Sequence, residues 1–292
     1  MKKFNILIIA LVISASAFGQ SKMACCANAA ATPDGSTKNS TATGQFASLA
    51  NDKNFVKEHL DPAPFMGNAE LGEKFTFKVA DGIDASGYMI KAKNPTHNYL
   101  FVIHEWWGLN DYIKEVSGKL SKDLGNINVI ALDLYDGKVA TTQEMAGKYM
   151  QGADEKRIKS IINGAIALAG PEAKIATIGW CFGGGWSLQT SIMADKQAVG
   201  TVMYYGMPET DLERLKTLNT DVLAVFANKD AWITPKVAAD FQANMTKAGK
   251  KLTLKQYDAD HAFANPSNPV YNSVAAADAY AATLSFLMPR LK

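Results

Sequence analysis

The sequence predicts an α/β domain: a mostly parallel central sheet with helices on both faces. Three observations carry this. Short, nearly continuous apolar runs at residues 99–103, 128–132 and 222–226 alternate with stretches of helical periodicity, as strands buried on both faces require. The alternation extends over residues 71–292 without an internal repeat, a length that one domain can hold. The polar residues suited to catalysis fall just past the ends of these runs, where open parallel sheets place their sites.

The chain begins differently. Lys2 and Lys3 precede an apolar run that starts at Ile6 and continues to Phe18, with small residues Ala15, Ala17 and Gly19 near its end. This is the pattern of a signal peptide over residues 1–19, cleaved before Gln20. The run is too short for a comfortable membrane span, and no later stretch is long enough either. The expectation is an exported protein, periplasmic or secreted, with no membrane span after cleavage. Residues 20–50 are mostly Ala, Ser, Thr, Asn and Gly, too poor in apolar surface to offset the entropy of ordering, and are expected to form a flexible linker. Cys25 and Cys26 lie in it side by side. A bridge between neighbours is strained, which leaves pairing with another molecule, metal binding or incidence open. Residues 51–70 carry Phe55, Val56, Leu60, Phe65 and Met66 around Pro62 and Pro64 and read as an arm packed on the domain.

Within the domain, residues 75–79 and 87–90 suggest a hairpin. Further strands are expected at 99–103, 128–132, 174–178, 201–205, 222–226 and 252–257, and helices at 111–124, 154–169, 186–194, 237–248 and 274–287. The helix at 154–169 shows its buried face directly, with Ile158, Ile161, Ile162, Ala165 and Leu168 at helical spacing. A net charge of +2 with 20% charged residues provides no basic field, so no nucleic-acid partner is expected. The cluster Glu155, Lys156, Arg157 and Lys159 reads as a solvated helix face.

The run Gly179-Trp180-Cys181-Phe182-Gly183 sits between a strand and a helix. Glycines allow a sharp turn and close approach of the helix, leaving the central side chain at the top of the sheet. With serine in place of Cys181 this would be the nucleophile elbow of an α/β-hydrolase. The plainer alternative is a glycine-rich turn with an inert buried cysteine. Asp230 follows the strand at 222–226, and His261 the strand at 252–257. The chain order is thus nucleophile, acid, histidine, as this fold arranges them. A thiol titrating near pH ~8.5 needs a base or a positive neighbour to become thiolate. His261 can take that proton and return one to a leaving group, while Asp230 holds the other ring nitrogen. Asp258 and Asp260 are competing acids, closer to His261 in sequence than the usual placement. His59 and His97 read as surface residues of the arm and a loop. No His, Cys or acidic pair shows ligand spacing on one element, so no metal is expected, nor any cofactor.

Residues His104-Glu105-Trp106-Trp107-Gly108-Leu109-Asn110 follow the strand at 99–103. In this fold that loop supplies one oxyanion-hole N–H and the residue after the nucleophile the other, which assigns the backbones of Trp106 and Phe182. Glu105 would lie beside the thiol. The structural alternatives are a surface acid for Glu105, core packing for the tryptophans and a satisfied buried ring for His104.

Together with Asp133-Leu134-Tyr135, the elbow, Asp230 and His261-Ala262-Phe263, this sequence resembles the dienelactone hydrolase family over residues 71–292. The resemblance implies a single α/β-hydrolase domain and a Cys181–His261–Asp230 triad. It implies ester or lactone hydrolysis through a thioacyl-enzyme, with Glu105 contacting the resting thiol and helping to deprotonate it. Trp107, Tyr135, Lys138, Trp180, Phe263 and Asn265 are assigned to the substrate pocket. One departure is clear: family members that open dienelactone bind its carboxylate with arginines shortly after the Asp-Leu-Tyr and the catalytic histidine. Asp136, Gly137 and Asn265 stand in those regions here, and Lys138 offers only a point charge. The expected substrate is a small ester or lactone. A second reading is a non-catalytic binding or redox-responsive module on the same scaffold.

Overall fold

The computed structural model describes Met1, residues 42–68 and residues 71–292. The expected signal peptide beyond Met1, Cys25, Cys26 and the linker up to residue 41 lie outside the described residues. Eight strands form one sheet: β1 (Glu73–Phe77), β2 (Ala85–Ile90), β3 (Asn98–Ile103), β4 (Asn128–Leu132), β5 (Lys174–Trp180), β6 (Ala198–Tyr204), β7 (Val222–Ala227) and β8 (Leu252–Tyr257). Their spatial order is β1-β2-β4-β3-β5-β6-β7-β8. The β1–β2 and β2–β4 pairs are antiparallel, and every pair from β4 to β8 is parallel. This is the mostly parallel sheet of the α/β-hydrolase fold. The central strands are apolar because both faces are covered, and β7 is buried at all six positions.

The helices are α1 (Ala42–Leu49), α2 (Lys53–Glu58), α3 (Asp111–Leu124), α4 (Gln143–Gln151), α5 (Glu155–Ala169), α6 (Phe182–Ala194), α7 (Leu212–Lys216), α8 (Pro235–Lys247) and α9 (Ser273–Leu287). Local chemistry sets their starts. The side chains of Asn110, Thr142, Asp154, Asp211, Thr234 and Asn272 each accept a first-turn backbone N–H, and Pro235 suits the first turn of α8. No described helix is long and apolar enough to cross a membrane.

Two expectations need correction. The linker does not run to residue 50: α1 occupies its end, with Phe46 buried and its ring 6.3 Å from that of Phe182. The apolar pair Phe46 and Leu49 lies one turn apart on this helix, a pattern diluted when composition is averaged over residues 20–50. The helix expected at residue 186 starts at Phe182, with three consecutive glycines inside it. Glycine is a poor helix former, but here close packing decides. A Cβ on Gly183 would run into the carbonyl oxygens of Ile103 and His104, and one on Gly179 into the carbonyl of Gly183. Buried hydroxyls also seat α6 on the sheet, Ser187 Oγ donating to the Val202 carbonyl at 2.9 Å.

Gly183→Ala is therefore expected to lower stability by about 3 kcal/mol through overpacking, read as a fall in the urea midpoint with unchanged slope.

Candidate active site

Cys181 is the hinge between β5 and α6, and its backbone is strained, at φ 54° and ψ −118°. A non-glycine residue there is uncommon and costs about 1–3 kcal/mol. Two backbone hydrogen bonds hold it: the Cys181 N–H donates to Tyr204 O of β6 at 3.0 Å, and the Gly184 N–H, in the first turn of α6, donates to Cys181 O at 3.0 Å. The thiol is buried, the residue being 1% exposed. Burial pushes the thiol up, and the Glu105 carboxyl adds to this; His261 and the Phe182 N–H oppose it. The net effect holds the thiol above its ordinary value.

His261 follows β8 and Asp230 follows β7. Asp230 Oδ2 meets His261 Nδ1 at 2.5 Å, and Asp230 Oδ1 accepts the N–H groups of Trp232 and Ile233 at 2.9 and 2.8 Å. Burial acts against the Asp230 charge, but His261 and these donors outweigh it and hold the carboxyl below its usual range. For His261 burial pushes down, while Asp230 and then Cys181 push up more strongly, favouring imidazolium. Asp258 and Asp260, the competing acids, are exposed. His261 Nε2 is buried with the Cys181 thiol as its neighbour, their ligating atoms within 4.8 Å of each other.

The turn after β3 brings in Glu105. Asn265 Nδ2 donates to its Oε2 at 2.5 Å and Tyr205 OH to its Oε1 at 3.4 Å. Burial raises the carboxyl from 4.5 to about 7, against the lowering influence of His261, Asn265 and Tyr205. His104 is a structural residue: its Nδ1–H donates to Glu105 O at 2.5 Å, and its Nε2 accepts the Leu134 N–H at 3.1 Å. Asp133 shapes the next turn, accepting Ser86 Oγ at 2.8 Å and the Gly137 N–H at 2.6 Å.

The arm supplies residues that the sequence did not place here. Asp52 caps α2 by accepting the Asn54 and Phe55 N–H groups, and its other oxygen accepts Trp232 Nε1 at 3.2 Å. That sets Phe55 among Trp232, Trp106 and His261, with ring centroids 5.2, 5.5 and 6.2 Å away. His59, expected on the surface, is only 4% exposed. Its ring lies 4.8 Å from Trp106 and 4.9 Å from His261. The correction has a local cause. Phe55 and His59 are four residues apart on one turn, and His59 Nδ1–H donates to Phe55 O at 2.6 Å. Burial, and then His261, push its imidazole down to about 3, so it is neutral. The Asp52-x-x-Phe55-x-x-x-His59 spacing was the available signal.

A cavity of about 710 Å³ opens beside Glu105, walled by Trp107, Trp180, Tyr204, Tyr112 and Tyr280 and reaching Asn265. Of the residues assigned to a substrate pocket, Trp107, Trp180 and Asn265 line it. Tyr135 and Lys138 instead line a separate cavity of about 460 Å³ with Asp136 and Arg157. The turn through Gly137, at φ 86°, sends them there. Tyr135 still approaches the elbow, its ring 5.4 Å from Phe182. Phe263 lines neither; it is buried beneath Tyr205 and Tyr257, 5.7 and 5.3 Å from their rings. Asp136 is held bidentately by Arg157 at 2.6–3.2 Å, and Asn265 by Glu105 and Ser267. Asp136 is an anion that would repel a substrate carboxylate, and Asn265 is already engaged.

The sequence pattern of the dienelactone hydrolase family matches residues 85–291. A Saccharolobus solfataricus protein, whose name gives carboxymethylenebutenolidase as its inferred activity, is 28% identical over 257 residues, covering 74% of this chain and 98% of that protein. A carboxymethylenebutenolidase of a Pseudomonas species is 33% identical over 114 residues, covering 39% of this chain and 47% of that protein. Among solved structures, a dienelactone hydrolase-like promiscuous phosphotriesterase from metagenomic libraries superposes with a TM-score of 0.63 at 21% identity, covering 76% of this chain and 99% of the other.

Two outcomes follow from the geometry. Phe55→Ala opens the aromatic cluster beside His261, whose ring lies 6.2 Å from that of Phe55, so alkylation of Cys181, mapped by peptide mass, should accelerate about ten-fold or more, with about 3–5 kcal/mol of stability lost. Glu105 is raised in the folded state. Its contribution to stability is therefore full below about pH 4.5 and is lost as pH rises through about 7. Glu105→Gln should flatten that decline, with a gain on the order of 3 kcal/mol at pH 8 relative to its value at pH 4, read from denaturation at both pH values.

Proposed function

The chain belongs to the dienelactone hydrolase family, and on that premise we propose that it is an exported hydrolase of small esters or lactones that works through a Cys181 thioacyl-enzyme. Hydrolysis of ester bonds is the family's chemistry. The observation that carries the finer reading is the strained, buried Cys181 facing a His261–Asp230 pair joined at 2.5 Å.

The electrostatics support the following assignment of protons. His261, held as imidazolium by Asp230, is ready to give a proton before it can take one. Glu105, raised to about 7, is the group able to accept the thiol proton near neutral pH. The sulfur then attacks the carbonyl carbon, and the N–H groups of Phe182 and Trp106 receive the developing oxyanion. The carbon–oxygen bond of the leaving group breaks as His261 Nε2–H protonates it. In the second half, neutral His261 takes a proton from water, which attacks the thioester. The thiolate leaves and recovers its proton from Glu105. Asp230 remains ionised throughout and stabilises the imidazolium.

Aromatic walls and the lack of a free guanidinium favour a neutral or aromatic ester over an anionic dienelactone. The deep burial of the thiol, with Cys181 1% exposed, favours the second reading, a non-catalytic or redox-responsive module, and one experiment separates the two. The purified chain is assayed on p-nitrophenyl acetate and on a dienelactone, beside Cys181→Ala and a Cys25→Ser/Cys26→Ser variant. The expected result is turnover of the acetate, reduced in Cys181→Ala by about three orders of magnitude or more and retained in the double serine variant. A folded protein inactive on both substrates would favour the module.

A further inference from the structure

His59 has no part in the hydrolytic steps, yet it is buried at their centre. One ligating atom from each of His59, Cys181 and His261 lies within 4.8 Å of the others. The Nδ1 atoms of both histidines are engaged, His59 with the Phe55 carbonyl at 2.6 Å and His261 with Asp230 at 2.5 Å. His59 Nε2 is buried with no hydrogen-bond partner, and His261 Nε2 is buried beside the Cys181 thiol. A ligating histidine is ordinarily held this way, its second nitrogen donating to a backbone carbonyl or a carboxylate that fixes the tautomer and strengthens the lone pair.

From this arrangement we infer that His59, Cys181 and His261 form a binding site for a zinc ion. A thiolate with two imidazoles suits a borderline-soft divalent ion and gives three protein ligands, with water completing a tetrahedron. At Zn–N of about 2.0–2.1 Å and Zn–S of about 2.3 Å, ligand atoms stand roughly 3.3–3.6 Å apart. Side-chain rotations of about 1 Å close the present spacing. Binding breaks the Cys181 S–H bond and forms a Zn–S bond; that proton, and the one on His261 Nε2 when present, pass to the buffer. The ion would occupy the nucleophile and its histidine partner together, so the zinc-loaded chain is inactive as a hydrolase. The inference does not depend on the hydrolytic reading, because binding is measured without turnover.

The test uses the full chain with Cys25→Ser and Cys26→Ser, so that Cys181 is its one thiol. Zinc is titrated calorimetrically in two buffers of different ionisation heat, and cobalt(II) is followed by its thiolate charge-transfer absorption. The expected result is one ion per chain, proton release, a charge-transfer band that Cys181→Ser abolishes, and affinity at least about ten-fold weaker in His59→Phe. His59→Gln serves if the phenylalanine variant does not fold, as judged by circular dichroism. Unchanged affinity in a folded His59 variant would overturn the inference. So would uptake that survives Cys181→Ser, or no saturable uptake by the folded chain. Esterase activity measured in chelator reports separately on the hydrolytic reading.

Discussion

Everything at the site depends on the backbone of Cys181 being held at φ 54°. A β-carbon is disfavoured there, and relaxation would rotate the sulfur away from His261. Two kinds of contact prevent it. β5 lies between β3 and β6 in the sheet, so its carboxyl end cannot shift without breaking ladders on both sides. Gly179 and Gly183 let α6 come close enough that its first turn touches the carbonyls of Ile103 and His104. The strain is small beside the packing that opposes it. That packing also fixes where β3 ends, and hence where Glu105 begins.

Around that fixed sulfur the chain buries two carboxyls and two imidazoles whose environments drive them apart. Asp230 is kept ionised by an imidazolium and two backbone donors. His261 is raised by Asp230, Glu105 is raised by burial, and His59, with no carboxylate partner, is lowered by burial and by His261. The result is one positive donor, one carboxyl poised near neutrality and one neutral base in a space shielded from water. Such divergence is how a protein assigns acid and base roles. A thiol that is buried and raised above its ordinary value is also protected from oxidation, since oxidants attack accessible thiolate.

Much of this was legible in the sequence because it follows strand ends. Cys181, Asp230, His261 and Glu105 each follow a strand whose apolar run is plain, and a parallel sheet gathers such positions on one edge. The arm was not legible in the same way. Its helices are short, and its residues are mostly polar. The Asp52, Phe55 and His59 spacing hints at one helical face, but the burial of that face comes from tertiary contact with Trp106 and Trp232, whose positions the spacing does not encode. The pocket walls were read only in part. Spacing places Lys138, Tyr135 and Phe263 near the right strand ends, but side-chain direction depends on turns such as Gly137 at φ 86° and Ala262 at φ 64°.

The central claim is that Cys181 carries the acyl group during turnover. It is tested most directly by acid-quenching the chain in the presence of p-nitrophenyl acetate and mapping the adduct by peptide mass spectrometry. The account predicts a single acetyl group on the peptide containing Cys181, appearing with the first release of nitrophenol and decaying once substrate is exhausted. Acetylation confined to another residue, or steady turnover with Cys181 unmodified at every quench time, would contradict it.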